Sequence, residues 1–121
     1  MNISKFTQKS IEAVQNLEKI ALEYGNQEIE QEHLLSALLT QEDSLILKMI
    51  EKMGIDKQSL VSAVEQLLES RVKVSGGSPY IGQDLNKALI HAEDEAKAMG
   101  DEYVSVEHLF LALLHYPSKT V

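Results

Sequence analysis

Glu and His stand side by side at two places in this chain, Glu32-His33 and Glu107-His108. A carboxylate beside an imidazole could serve acid–base catalysis or help to bind zinc. Both pairs fall in helical patterns, and neighbouring side chains on a helix point about 100° apart, so the two groups diverge. Zinc requires three or four converging ligands, and His91 and His115 lack metal-ligand spacing to the pairs. We expect neither catalysis nor a metal site.

The same residues have structural interpretations that stand beside any binding role. Each glutamate lies in the first turn of a predicted helix, where the positive end of the helix dipole stabilises a carboxylate by up to about 1 kcal/mol. The histidines repeat beside leucines, which predicts buried, hydrogen-bonded rings. Thr7 precedes a helix as an N-cap, and Asp101 follows Gly100, where turn-forming Asp is common.

The two Glu-His pairs belong to an internal repeat with an offset of 75 residues. When residues 6–40 are aligned with residues 81–115, 11 of the 35 pairs are identical. Most inward positions keep their apolar character, as Ile29 does with Val104. A duplicated helical unit generally buries its apolar stripe against its copy, so the functional site should lie at the seam between the copies.

Apolar residues three and four positions apart predict an all-α fold, with almost no strand signal. The predicted helices cover about residues 8–24, 31–40, 44–53, 57–70 and 83–99, and a last helix is capped by Ser105 and stops before Pro117. Met49, Met53, Met99 and Leu114 lie on their inward stripes. The whole is one domain of 121 residues, long enough for a core.

We divide the domain into repeat one over about residues 1–70, a linker over about residues 71–80, and repeat two over about residues 81–121. The linker contains a Gly/Ser-rich stretch and Pro79. Counterparts of residues 44–69 would occupy positions 119–144, whereas the chain stops at Val121, so we expect repeat two to be incomplete and the apolar face of residues 106–114 to lack cover. We expect either a fragment or a short protein in which a dimer contact covers that face.

Composition excludes several classes of protein. There is no cysteine, hence no disulfide framework, thiolate zinc site or cysteine nucleophile. A net charge of −8 argues against nucleic-acid binding, which draws on clustered Lys and Arg. The N-terminus carries no secretory signal, and the longest apolar run, residues 109–114, is far short of the roughly 20 residues of a membrane span. We expect a soluble, cytoplasmic protein without a membrane partner.

Several motifs match a known family. The Phe6-Thr7-Gln8-Lys9 opening, the two Glu-His-Leu motifs and the Gly-Asp-Glu-Tyr-Val-Ser-Val-Glu-His-Leu run at residues 100–109 resemble the Clp N-terminal repeat domain. The resemblance covers nearly the whole chain. Within the family, the sequence most resembles the ClpB-type disaggregases, with the ClpC-type unfoldases as the alternative.

The resemblance implies a stress-response module attached to a homohexameric ATPase ring, which engages unfolded or aggregated polypeptide, with adaptor proteins as further partners. ATP and Mg²⁺ would bind in other parts of the full-length protein. The Gly-rich residues 75–78 lack the Gly-Lys-Ser/Thr ending of a nucleotide-binding loop. We therefore expect no cofactor and no enzymatic activity in these 121 residues.

The resemblance also implies substrate-binding residues. They are Thr7, Asp101 and Glu107, expected close together where the repeats meet, and Glu32 as the repeat counterpart of Glu107. A ClpC-type domain would use the glutamate pair to hold the guanidinium of phosphorylated arginine, with Thr7 near the phosphate. A ClpB-type domain would instead present a shallow apolar groove.

Overall fold

The computed structural model describes residues 3–119. A 3-10 turn, Ile3–Lys5, precedes the first helix. The helices are α1 (Gln8–Glu23), α2 (Gln31–Thr40), α3 (Leu45–Lys52), α4 (Lys57–Ser70), α5 (Gln83–Ala98) and α6 (Val106–His115). Two short strands, β1 (Glu28–Ile29) and β2 (Tyr80–Ile81), complete the order. The predicted all-α class is confirmed. No helix within residues 3–119 is long and apolar enough to cross a lipid bilayer.

The helices repeat with the offset seen in the sequence. α1 and α5 have 16 residues each, α2 and α6 have 10 each, and both pairs begin 75 positions apart. α1 begins where predicted, because the Thr7 hydroxyl oxygen accepts from the backbone N–H of Ser10 at 3.3 Å. α3 and α4 have no counterparts among the described residues of repeat two.

The repeats are joined by a reciprocal exchange of backbone segments. β1 of repeat one pairs in parallel with β2 of repeat two, with Ile29 opposite Ile81. Phe6 forms a parallel bridge with Val104, and these two residues are the repeat counterparts of Ile81 and Ile29. In each repeat, therefore, the segment before the first helix pairs with the segment before the second helix of the other repeat.

Equivalent hydrogen bonds close both ends of this exchange. The N–H of Thr7 donates to the carbonyl of Val104 at 2.9 Å, and the N–H of its counterpart Gly82 donates to the carbonyl of Ile29 at 2.8 Å. Strands of one or two residues are too short to show an alternating pattern, so periodicity does not predict them.

The core runs through both repeats, but one pair of equivalent leucines differs sharply. Leu39 in α2 is 2% exposed, whereas its counterpart Leu114 in α6 is 56% exposed. α3 and α4 both pack against α2. The prediction that Leu114 lies inward is wrong. The expectation of an uncovered face on α6 is met at this residue but is wrong for most of the face, because Val106, Leu109, Phe110 and Leu113 are buried.

Two of the three methionines predicted to face inward do not. Met53 and Met99 are 64% and 55% exposed. Each is the C-cap residue of its helix. The apolar stripe of each helix therefore continues beyond the part of the helix that packs against the core. Met49 packs against the core as predicted.

The linker is fastened to repeat one. The N–H of Val74 donates to the carbonyl of Gly25 at 2.8 Å, and the side-chain amide of Asn26 donates to the carbonyl of Val72 at 3.3 Å. These bonds hold the first linker residue, Arg71, beside the start of α2.

Both predicted buried histidines hold the start of a helix. His33 accepts the backbone N–H of Glu30 at its Nδ1, and His108 accepts that of Ser105, at 2.9 Å in each case. A ring whose Nδ1 accepts carries its proton on Nε2. The Nε2 of His33 meets Asn26 Oδ1 at 3.0 Å. The prediction of buried, hydrogen-bonded rings is confirmed.

Burial changes the pKa values of two groups at the start of α2 in opposite directions. It lowers the pKa of His33 to about 4, with the nearby charge of Arg71 acting in the same direction. It raises the pKa of the Glu30 carboxyl to about 7, against the effect of a hydrogen bond from the backbone of Leu85. Both groups therefore favour the neutral form.

Replacing the equivalent leucines separately should give unequal losses of stability. We expect Leu39→Ala to lower the free energy of unfolding by about 2–5 kcal/mol, because it leaves a cavity in a closed core. We expect Leu114→Ala to change it by less than about 1 kcal/mol, because that side chain is largely solvated. Urea unfolding followed by circular dichroism measures both, and equal losses would contradict the unequal packing.

A Glu30→Gln variant should reveal the hidden pH dependence of His33. A His with a lowered pKa makes stability rise with pH between about 4 and 6.5, whereas a Glu with a raised pKa makes it fall between about 4.5 and 7. The two effects largely cancel in the unaltered chain. In the variant only the His33 effect remains, so its free energy of unfolding should be higher at pH 8 than at pH 4.5. We expect this increase to exceed that of the unaltered chain by about 1–3 kcal/mol.

Urea unfolding at the two pH values measures this difference. Glu18→Gln, at an exposed position of α1, is the matched control and should show no such change. If the Glu30 variant differs in stability from the unaltered chain by the same amount at both pH values, the pKa of Glu30 is not raised in the folded chain.

Candidate functional site

A shallow groove opens where the start of α1, the loop after α2 and the start of α6 meet. We call it the Glu107 groove. Its volume is about 370 Å³. Its lining includes Thr7, Lys9, Asp43, Leu45, Val106 and Glu107. The exchange of segments between the repeats creates this groove, because it sets the start of a repeat-two helix beside the start of α1.

Two of the predicted site residues meet in this groove. Thr7 is half-buried and caps α1, while Glu107 is exposed in the first turn of α6. Leu45 is 44% exposed and supplies an apolar wall. The groove thus combines an apolar side chain, a hydroxyl and a solvated carboxylate at the positive ends of two helices.

Asp101 is not part of this groove, contrary to the prediction that it lies with Thr7 and Glu107. It lines a separate cavity with Lys5 and Lys97, and its Oδ2 meets the Nε2 of His108 at 2.8 Å. Val104 forms the bridge with Phe6. Asp101 comes before Val104 in the chain and Glu107 comes after it, so the two acidic residues lie on different sides of the bridge. The position that Asp101 takes beside His108 is the one that Asn26 takes beside His33.

The Glu107 groove has a counterpart in the other half of the molecule, which we call the Glu32 groove. Its volume is about 380 Å³, and it lies between the start of α5, the segment after α6 and the start of α2. Its lining includes Glu28, Glu30, Glu32, Arg71, Asp84 and Ser118. Four of these, Glu30, Glu32, Asp84 and Ser118, are the repeat counterparts of Ser105, Glu107, Lys9 and Asp43.

Glu32 is in a different state from Glu107, although the sequence pairs them. Its side chain is 1% exposed, and its Oε2 accepts from Nη1 of Arg71 at 2.9 Å. Nη2 of Arg71 meets Glu28 Oε1 at 3.2 Å. The difference arises because Arg71 belongs to the linker that follows α4, a helix without a described counterpart in repeat two.

The Thr7 position of the Glu32 groove is also filled. The counterpart of Thr7 is Gly82, and a Cβ atom there would lie 1.7 Å from Glu30 Oε1. The buried Glu30 carboxyl, whose pKa burial raises to about 7, therefore takes the space that a side chain would need. The two grooves are of similar size, but in the Glu32 groove the glutamate is paired with Arg71 and the position of Thr7 is taken by Glu30.

Sequence reasoning missed Arg71 and Leu45. Arg71 is the only arginine of the chain, and this was the one feature of the sequence that distinguished it. Its position just after a helix does not indicate which residue it contacts. Leu45 opens α3, and no local pattern in the sequence indicates that it is exposed. Within residues 3–119, no group of three or more His, Asp or Glu side chains is placed to hold a metal ion.

Comparison with known proteins places the chain in a family. The model of the Clp repeat N-terminal domain matches residues 5–121. The chaperone protein ClpB of Nitratidesulfovibrio vulgaris is 40% identical over 126 aligned positions that cover 100% of this chain and 15% of that protein. ClpB of Porphyromonas gingivalis is 45% identical over 114 positions, 94% of this chain and 13% of that protein. The chain thus spans less than a sixth of the length of these curated relatives.

Solved structures agree in fold. The Hsp104 N-terminal domain of Candida albicans has a TM-score of 0.85 at 18% identity, with coverage of 93% of this chain and 75% of that one. The N-terminal domain of the ClpV1 ATPase of the E. coli Sci1 type VI secretion system has a TM-score of 0.87 at 22% identity, with coverage of 98% and 72%. From the family match, the ClpB relatives and this shared fold, the chain belongs to the Clp repeat N-terminal domain family and resembles the N-terminal regions of ClpB chaperones.

Proposed function

We propose that this ClpB-like domain binds unfolded or aggregated polypeptide in the Glu107 groove and delivers it to an attached ATPase ring. The observation that carries the proposal is the exposed Leu45 beside the solvated carboxylate of Glu107 and the half-buried Thr7. Unfolded chains offer apolar side chains together with free backbone N–H groups. A leucine wall suits the former, and a carboxylate accepts from the latter.

The groove is shallow and mostly solvated, which suits weak and varied binding. A site of this kind makes few fixed contacts, so it discriminates little between sequences. The net charge of −8 further favours clients with basic segments. We infer that the domain is not an enzyme and carries no cofactor. ATP, Mg²⁺, assembly into a homohexamer and a cytoplasmic location are proposals for the longer protein to which it belongs.

A ClpC-like role as an adaptor-docking or phosphoarginine-receptor domain is the second candidate. It is favoured by the repeated glutamates, each of which opens a second helix beside a groove. The Arg71–Glu32 pair weighs against a receptor that uses both glutamates, because one already holds a guanidinium. Titration calorimetry with free phosphoarginine separates the candidates, since saturable binding would favour the second and no heat would favour the first.

Substitutions in the Glu107 groove should weaken client binding. We expect Leu45→Ser and Glu107→Gln each to raise the dissociation constant for reduced, carboxamidomethylated lysozyme, an unfolded basic chain, by roughly 3–10-fold. Such a change corresponds to about 0.7–1.4 kcal/mol of lost contact. Fluorescence anisotropy of the labelled client measures it, and circular dichroism checks that the variants fold.

Two matched substitutions outside the groove serve as controls. Leu22→Ser removes an exposed leucine from α1, 60% exposed against 44% for Leu45, and Glu18→Gln removes an equal charge from the same helix. Neither residue lines the groove, so both variants should bind like the unaltered chain. If the controls weaken binding as much as the groove variants do, the client binds through general charge and apolar surface, and the proposal is wrong.

A further inference from the structure

The start of α5 has no capping side chain of its own, and a carboxyl group from the other repeat lies in that place. Thr7 caps α1 with its hydroxyl, whereas its counterpart at the start of α5 is Gly82. Oε1 of Glu30 lies 1.7 Å from the point where a Cβ atom of residue 82 would be. We propose that Glu30 caps α5 across the seam, and that this cap makes the junction of Ile29 with Ile81 the proton-sensitive end of the seam.

The contacts of Glu30 are those of a helix N-cap. A capping side chain accepts from a backbone N–H two or three residues into its helix, and Leu85 is the third residue of α5. The backbone N–H of Leu85 donates to the Glu30 carboxyl. Gln31 holds the same turn, because its side-chain amide donates to the carbonyl of Asp84 at 3.2 Å. Two consecutive residues of repeat one therefore fix the first turn of a helix in repeat two.

A carboxyl group in this position is poorly placed to carry a charge. Glu30 is 7% exposed, and its Oε1 has no hydrogen-bond partner among the described residues. Three further carboxylates act on it, namely Glu28 from β1, Glu32 from α2 and Asp84 from α5. An ionised carboxylate needs partners for its oxygens and is repelled by neighbouring charges of its own sign. The geometry therefore favours the neutral acid.

The cations nearby do not offset these charges. Arg71 from the linker is already paired with Glu32 and Glu28, and Lys119, after α6, is exposed. Burial lowers the pKa of His33 to about 4, and its Nδ1 accepts from the backbone of Glu30, so this ring adds no charge near pH 7. The positive ends of α2 and α5 favour ionisation, but burial outweighs them and raises the pKa of Glu30 to about 7.

Ionisation of Glu30 should weaken the junction as the pH rises. A group whose pKa is raised by folding stabilises the folded state below its ordinary value, here about 4.5, and that contribution is lost as the pH passes about 7. The other end of the seam has hydroxyl groups, which do not titrate in this range, at both equivalent positions, Thr7 and Ser105. The chain thus contains its own matched control, with one junction capped by a carboxyl and one by hydroxyls.

Amide hydrogen exchange, measured by NMR, tests the proton response at both ends of the seam. The N–H of Gly82 donates to the carbonyl of Ile29, and that of Thr7 donates to the carbonyl of Val104. We expect the protection factor of Gly82 to fall by roughly 10-fold relative to that of Thr7 between pH 5 and pH 8, because opening the junction exposes Glu30 to solvent. In Glu30→Gln, which keeps a neutral acceptor, the relative protection of Gly82 should not depend on pH.

Either of two results would overturn the proton response. One is a protection factor of Gly82 that keeps a constant ratio to that of Thr7 across this pH range in the unaltered chain. The other is a fall that persists in Glu30→Gln, since it would then come from another group. Glu18→Gln, at an exposed position of α1, is the control and should behave like the unaltered chain.

A pair of substitutions tests the cap itself by moving it into α5. Gly82→Thr should lower the thermal midpoint, because the added side chain collides with the Glu30 carboxyl. Glu30→Ser should also lower it, because α5 loses its cap. Together the two changes reproduce the Thr7 and Ser105 arrangement, so the double variant should have a higher midpoint than either single variant. The remaining close neighbour, Glu28 Cγ at 2.9 Å, belongs to an exposed side chain that can move.

The double variant decides whether Glu30 is the cap. If its change in midpoint is the sum of the two single changes, positions 30 and 82 are not coupled and the proposal is wrong. If a single variant does not fold, the exchange measurement on the double variant replaces the comparison, and protection of the residue 82 amide should then be independent of pH. A fall with pH that remains there would contradict the proposal. No client is used, so these results do not depend on the function proposed for the Glu107 groove.

Discussion

The reciprocal pairing of short backbone segments is the constraint on which the rest of this structure depends. It consists of two strand contacts, Ile29 with Ile81 and Phe6 with Val104. Each contact ties the start of a first helix to the start of a second helix from the other repeat. Because helix starts carry unpaired N–H groups and the positive end of the dipole, the exchange produces two sites of similar chemistry. The grooves are thus consequences of how the repeats are joined, and neither repeat could form one alone.

The helix starts that meet at this seam are stabilised by one device used twice. In each repeat a buried histidine accepts from the backbone three residues earlier, and its other nitrogen meets a polar side chain seven residues earlier. That partner is the neutral Asn26 beside His33, which is fully buried, and Asp101 beside His108, where the carboxylate is half exposed. A charge is retained where solvent reaches it and is avoided where burial would make it costly. This explains why Asp101, although placed by family resemblance in a binding site, makes its principal contact with a helix start.

The features that the sequence could predict are those that depend on residues close together in the chain. Helix bounds and the repeat depend on local periodicity, and the helices begin and end within about two residues of the predicted bounds. The strand exchange, the pairing of Arg71 with Glu32 and the exposure of Leu114 depend on which segments meet in space, and no local pattern contains that information. Glu32 and Glu107 illustrate the limit. They occupy equivalent positions in the same Glu-His-Leu motif, yet Glu32 is 1% exposed and Glu107 is solvated.

The divergence of the two grooves can be traced to the one part of the fold that the repeats do not share. α3, α4 and the linker have no described counterparts in repeat two, and they cover Leu39's helix while bringing Arg71 to Glu32. Repeat two has no described counterparts of them beside α6, so Leu114 is exposed and Glu107 has no partner arginine. A single structural difference therefore accounts for a buried glutamate paired with Arg71 at one end of the seam and a solvated glutamate at the other. The Glu30 carboxyl over Gly82 is a further difference between the grooves, because the equivalent positions in the Glu107 groove are Ser105 and Thr7.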